Sequence, residues 1–166
     1  FLVIFGRLSK MQGDEGGALA RFEAAAAVKA GDPELLLELG ALYRNANRSA
    51  EAKDAYDKAL AKTKSKEVKK KALRALADIA LGVNDIETAK GYFDQYLALE
   101  PKNPALRVEL GDALLAAQKW DEAVEAYRIA EKQYGSDKTQ KLSVVVRIGQ
   151  ALEGKGSDTE AVAEYK

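Results

Sequence analysis

A chain of 166 residues with neither histidine nor cysteine lacks the imidazole and the thiol. With them go the usual general base near neutral pH, the thiolate nucleophile, the disulfide, and imidazole or thiolate metal ligation. The remaining candidates are carboxylates, cations and loops. Asp78 and Asp112 stand 34 residues apart; a pair of carboxylates can hold a hard cation or share acid and base work, but nothing else in the sequence joins them. Gly13-Asp14-Glu15-Gly16-Gly17 is glycine-rich, yet it lacks the Lys-Ser/Thr of a phosphate loop and its carboxylates would repel phosphate. Asn47-Arg48-Ser49 fits the glycosylation sequon, although Asn and Ser are turn residues in their own right. The run Lys62, Lys64, Lys66, Lys69, Lys70, Lys71 and Arg74 is the strongest charge cluster; it reads first as a solvated helix end and second as a docking patch for an acidic partner. No residue is therefore assigned to catalysis, to a cofactor or to a metal, and the chain reads as a non-enzyme.

Twenty-six basic and 26 acidic residues cancel to zero net charge, which argues against a general affinity for nucleic acid or for an anionic membrane. The apolar opening Phe1 to Phe5 is far shorter than the roughly 20 residues of a membrane span. Because it opens on Phe1 and stops at Lys166 inside a helical pattern, the sequence reads as a fragment of a longer protein. A disulfide-free helical protein suits cytoplasm and periplasm equally.

The elements that would position these groups show themselves through self-similarity. Aromatic residues recur at Phe22, Tyr56, Phe93, Tyr127 and Tyr165, at spacings of 34, 37, 34 and 38. Four residues before each stands an alanine: Ala18, Ala52, Ala89, Ala123 and Ala161. Sixteen residues before each, a small residue follows an apolar one: Phe5-Gly6, Leu39-Gly40, Leu76-Ala77, Leu110-Gly111 and Ile148-Gly149. Glycine inside a helix costs about 1 kcal/mol relative to alanine, so its return at one phase implies a close approach of a neighbouring backbone, with the aromatic filling the space where paired helices diverge.

Each unit divides into two amphipathic stretches. Leu36, Leu39, Gly40 and Tyr43 fall at i, i+3, i+4, i+7, as do Trp120, Ala123, Val124 and Tyr127. Turns are expected at Gly13-Asp14, Asn47-Arg48-Ser49, Asn84-Asp85 and Gln118-Lys119, with Asn84 and Glu87 at capping-box spacing. Asp32-Pro33 and Asn103-Pro104 place a capping side chain just before a proline at the first helical position. The two longer spacings exceed 34 by about one helical turn, so the helices starting near Ser65 and near Asp137 should be a turn longer than their fellows. Trp120 is expected to pack in the core.

These columns resemble the tetratricopeptide repeat, a helix-turn-helix unit of 34 residues. The resemblance implies an all-α, right-handed superhelix (α-solenoid) of about five units, at 1–32, 33–66, 70–103, 104–137 and a partial 142–166. The family's Tyr three residues after the apolar-Gly pair is kept at Tyr43 alone, with Ser9, Ala80, Leu114 and Leu152 elsewhere, and its late Pro only at Pro101.

The resemblance further implies a concave face lined by first helices that binds a segment of another protein. Carried over by position, that face holds Arg7, Lys10, Leu37, Arg44, Lys71, Arg74, Asp78, Val108, Asp112, Leu115 and Val146. Cations toward the first units and apolar residues toward the last suit a peptide with acidic and apolar anchors. The two-carboxylate clamp of chaperone-binding relatives would fall on Val3, Arg7, Ala41, Lys71 and Ala75, of which only Lys71 matches. The expected function is a non-catalytic scaffold or adaptor, with a bacterial envelope, pilus, secretion or motility assembly as its narrower form. Alternatives are an accessory domain of an enzyme whose catalytic part lies elsewhere, or a scaffold that self-associates through its cut ends. RNA binding, as in related helical repeats, is disfavoured by the charge balance.

Overall fold

The computed structural model describes residues 1–166, and all of its regular structure is helical. In chain order the helices are α1 (Leu2–Met11), α2 (Glu15–Val28), α3 (Pro33–Asn45), α4 (Ser49–Lys62), α5 (Lys66–Gly82), α6 (Ile86–Leu99), α7 (Pro104–Ala116), α8 (Trp120–Gln133), α9 (Lys138–Lys155) and α10 (Asp158–Glu164). At 17 and 18 residues, α5 and α9 exceed the 13 of α3 and α7 by about a turn, so the longer spacings lengthen helices and leave loops short.

Starts and stops follow from the local residues. Asp32 accepts from the backbone N–H of Glu34 and Leu35 ahead of Pro33, and Asn103 accepts from that of Leu106 ahead of Pro104. Each bond satisfies an orphan donor of the first turn and contributes about 1 kcal/mol. Five tight connections pass through a left-handed residue at one phase of the pattern: Gly13, Asn47, Asn84, Gln118 and Gly156 have φ between 58° and 82°. At Asn47, Gln118 and Gly156 the next N–H reaches back to Tyr43, Leu114 and Leu152, the bonding of a helix C-cap that favours Gly or Asn. Asn84 is thus the left-handed residue, and the cap of α6 is Asp85, which accepts from Thr88 N–H at 3.1 Å. The expected capping box of Asn84 and Glu87 is displaced by one residue, because a side chain leaving a left-handed backbone does not aim at the following turn.

The chain divides into two compact units, residues 1–83 and 84–166. In the first, α1 packs on α2, α2 on α3, α3 on α4 and α4 on α5; in the second, α6 packs on α7, α7 on α8, α8 on α9 and α9 on α10. Ala18, Phe22, Ala25, Leu35, Leu39 and Leu42 form one buried cluster of the first unit. Phe93, Leu114, Tyr127, Val144 and Ile148 are among the side chains fully buried in the second. Burying such a side chain contributes about 1.5–3 kcal/mol.

The periodic columns are the seams of this packing. All five alanines are at most 1% exposed, and of the aromatics only Tyr165, at 45%, reaches solvent. A Cβ on Gly6 would lie 2.7 Å from the Phe22 ring and one on Gly40 2.7 Å from that of Tyr56, with Gly111 against Tyr127 and Gly149 against Tyr165 closer still. What glycine makes room for is therefore the aromatic ring itself, rather than the facing backbone that the spacing suggests. Trp120 is half-buried rather than a core residue: its ring packs against α9, 2.8 Å from where a Cβ of Gly154 would stand, and its other side stays partly open to solvent.

Candidate partner-binding face

Ion pairs between neighbouring first helices decide which groups on this face face solvent without a partner. Arg7 of α1 donates from Nε to both Glu38 carboxylate oxygens of α3, at 3.1 and 3.2 Å. Arg44 of α3 reaches Asp78 of α5 at 3.4 Å, and Arg74 donates to the same carboxylate at 3.1 Å from one turn away. In the second unit Arg147 of α9 donates to Asp112 of α7 at 2.9 Å, and the Tyr127 hydroxyl donates to the same oxygen at 2.7 Å. The Glu38 carboxylate sets the Arg7 guanidinium above its ordinary value, first by hydrogen bonding and then by charge. Burial, with the Asp112 bond second, pushes the Tyr127 phenol well above the usual range.

Five of the eleven residues expected on this face, Arg7, Arg44, Arg74, Asp78 and Asp112, are thus engaged with groups of the same unit. Exposed pairs of this kind contribute little to stability, but they join successive first helices within each unit. Lys10 and Lys71 project from α1 and α5 as exposed cations. Leu37, Val108 and Leu115 are half-buried on α3 and α7, and Val146 on α9 is 41% exposed. Glu38, Tyr127 and Arg147 do not figure in the expected set. For Glu38 and Arg147 the signal was present as one-repeat spacing between opposite charges, 31 residues for Arg7 and Glu38 and 35 for Asp112 and Arg147.

The second helices are laced in the same way: Lys90 of α6 pairs with Glu122 of α8, Lys119 with Glu87, and Arg128 of α8 with Glu164 of α10. Tyr43 joins the first two hairpins, donating to Glu23 at 3.0 Å beneath the Arg48 guanidinium, 4.5 Å above its ring. In the basic run, Lys62 donates to the Ala30 carbonyl at 3.2 Å and Lys70 pairs with Glu67 at 2.9 Å, so those two cations serve helix ends. Asp78 and Asp112 each face cations, and nowhere do three or more His, Cys, Asp or Glu side chains gather as a metal site. No helix is long and apolar enough to cross a membrane.

Two sequence-family models, both described as tetratricopeptide repeat, match the chain, one over residues 33–61 and one over 74–138. The chain belongs to the tetratricopeptide repeat family. No curated protein matches it. Among solved structures, a crystal structure of MamA protein aligns with a TM-score of 0.80 at 23% identity, covering 99% of this chain and 86% of that one. MamA 41-end from Desulfovibrio magneticus RS-1 aligns at 0.75 and 16% identity, over 99% and 89% of the two chains. YrrB, described as a TPR protein with an unusual peptide-binding site, aligns at 0.75 and 18% identity, over 98% and 80%. At such identities the likeness is one of fold: tandem tetratricopeptide hairpins of the solenoid class account for the packing of both units.

Proposed function

We propose that this tetratricopeptide repeat protein is a non-catalytic scaffold whose first-helix face captures a segment of a partner protein. The observation that carries the reading is the partly exposed apolar residues of the first helices, Leu37 in the first unit and Val108, Leu115 and Val146 in the second, in units whose first-helix charges Arg44, Asp78, Asp112 and Arg147 are already paired. Partly buried apolar side chains in a rigid frame can anchor a segment with little loss of freedom. Lys10 and Lys71 add cations without an ion-pair role, so acidic groups in the partner have a place to dock. Arg7, Arg44, Arg74, Asp78 and Asp112 serve this site as the lattice that sets helix spacing. Membership of the family and the fold shared with YrrB support protein binding as the class. The narrower form of this proposal is an assembly factor in a bacterial envelope, pilus, secretion or motility machine.

Affinity capture from the source lysate, comparing the parent with a Leu37→Glu, Leu115→Glu variant, tests the site. Loss of one specific co-purifying protein in the variant is expected; its recovery by both proteins would remove the first-helix assignment.

A second reading, self-association, has an observation of its own. Phe1 and, on α1, Ile4, Phe5, Leu8 and Met11 are 46–97% exposed, whereas the residues one repeat later at the phases of Phe1, Phe5 and Leu8, namely Leu35, Leu39 and Leu42, are at most 5% exposed beneath α2. A helix placed on α1 as α2 lies on α3 would cover this stripe.

A further inference from the structure

The first unit carries a cleft of about 360 Å³ between α2 and α4, floored by α3, on the side of its second helices. Ala26 and Ala30 form one wall, Asp54, Lys58 and Lys62 the other, and buried Leu36 lies at the bottom. What belongs there can be read from the protein itself, because the second unit repeats the same elements. Helices α2, α3 and α4 begin at residues 15, 33 and 49, and α6, α7 and α8 at 86, 104 and 120, each shifted by 71 and each of unchanged length. A bond across the cleft is repeated too: Lys62 donates to the Ala30 carbonyl at 3.2 Å, and Gln133 to the Pro101 carbonyl at 2.8 Å.

The side chains differ at the positions that set the volume. Where the first unit has Ala26, the second has Leu97, only 6% exposed, and where the first has Lys58 the second has half-buried Ile129. Arg107 Nε and Gln133 Oε1, at the places of Leu36 and Lys62, are shut off from solvent. The second unit thus closes with aliphatic side chains of its own what the first leaves open. Both cleft lysines retain donors, since Lys58 spends one on Asp54 and Lys62 one on Ala30, and an ammonium has three.

We propose that the α2–α4 cleft is a docking subsite for a leucine- or isoleucine-sized side chain of a partner protein, whose neighbouring carboxylates reach Lys58 and Lys62. The volume lies at the small end of the range for ligand sites, about 300–1,000 Å³, as a subsite for one or two side chains requires. The subsite is separate from the first-helix face and stands or falls without it.

The test is an NMR titration of the whole chain with the blocked peptide Glu-Glu-Leu-Glu-Glu at millimolar concentration. Saturable shifts of the Ala26 and Lys58 amides are expected, with binding about tenfold or more weaker for peptides carrying Ser in place of Leu or Lys in place of Glu. Ala26→Leu installs the residue that the second unit bears at this position, so it should leave the unfolding temperature unlowered while weakening binding about tenfold or more. If that variant does not fold, Lys58→Ile, which copies the second unit on the opposite wall, decides by the same criterion. Absence of saturation, equal shifts with the Ser or Lys peptides, or undiminished binding by the occluded variant would overturn the proposal. So would the same amide shifts on raising the protein concentration alone, since the occupant would then be a second copy.

Discussion

Tyr127 shows at a single residue how packing and polarity are joined in this protein. Its ring occupies the space left by Gly111, and its hydroxyl donates to Asp112, which also holds Arg147. Replacing it by Phe keeps the ring and removes one hydrogen bond, so Tyr127→Phe should cost about 0.5–1.5 kcal/mol near neutral pH, measured by urea unfolding. The pH dependence has a defined sign. Burial raises the folded-state phenol above its unfolded value, so its contribution is complete below about pH 10 and fades as pH rises toward the folded value. The parent should therefore lose stability above about pH 10 more steeply than Tyr127→Phe; parallel alkaline profiles would show that the Tyr127 proton has no part in folding. Gln118 marks a different kind of cost: it holds the left-handed φ of 59° that Gly13 and Gly156 adopt freely elsewhere in the pattern.

At the scale of helices, the same amino acid has opposite value at two places. Gly111 in α7 faces the Tyr127 ring, whereas Gly91 in α6 has open space around it. Gly91→Ala should stabilise the protein by about 0.5–1 kcal/mol through helix propensity alone. Gly111→Ala gains the same propensity but drives a methyl into the ring, and overpacking costs about 1–3 kcal/mol. Net destabilisation is expected, relieved when Tyr127→Leu is added, and thermal unfolding of the four-member cycle measures the coupling. An additive cycle would mean that the glycine column serves something other than the aromatic. The presence and phase of these seams were legible in the spacing; what stands against each glycine was not, because spacing tells that a face is crowded and leaves the neighbour unnamed.

For the whole molecule the deciding quantities are charge balance and uncovered apolar surface. Opposite charges are present in equal number, and several are paired one repeat apart, so the chain carries no net charge at neutral pH. Within residues 1–166 the α1 stripe is exposed, and burial of Phe5 and Leu8 against another copy would remove it from water. If self-association uses this face, sedimentation across a concentration series should show the parent growing in mass while Phe5→Glu, Leu8→Glu stays monomeric. A parent that is monomeric throughout would end that reading and leave the capture of other proteins standing.

The sequence by itself determined the helical hairpins, their register, the extra turn in α5 and α9 and the proline-backed caps at Asp32 and Asn103. Each of these depends on residue type and on a period that the chain writes out linearly. Only the tertiary structure decided which groups on the first-helix face are engaged. Arg7, Arg44, Arg74, Asp78 and Asp112 have the residue types of a recognition surface, yet all make bonds within their own unit. It also placed Asn84 in the left-handed turn in place of the cap, and opened the cleft between α2 and α4. Pairing depends on the reach of side chains across neighbouring helices, and a cleft is the volume left after packing. Neither is a property of any one position in the sequence.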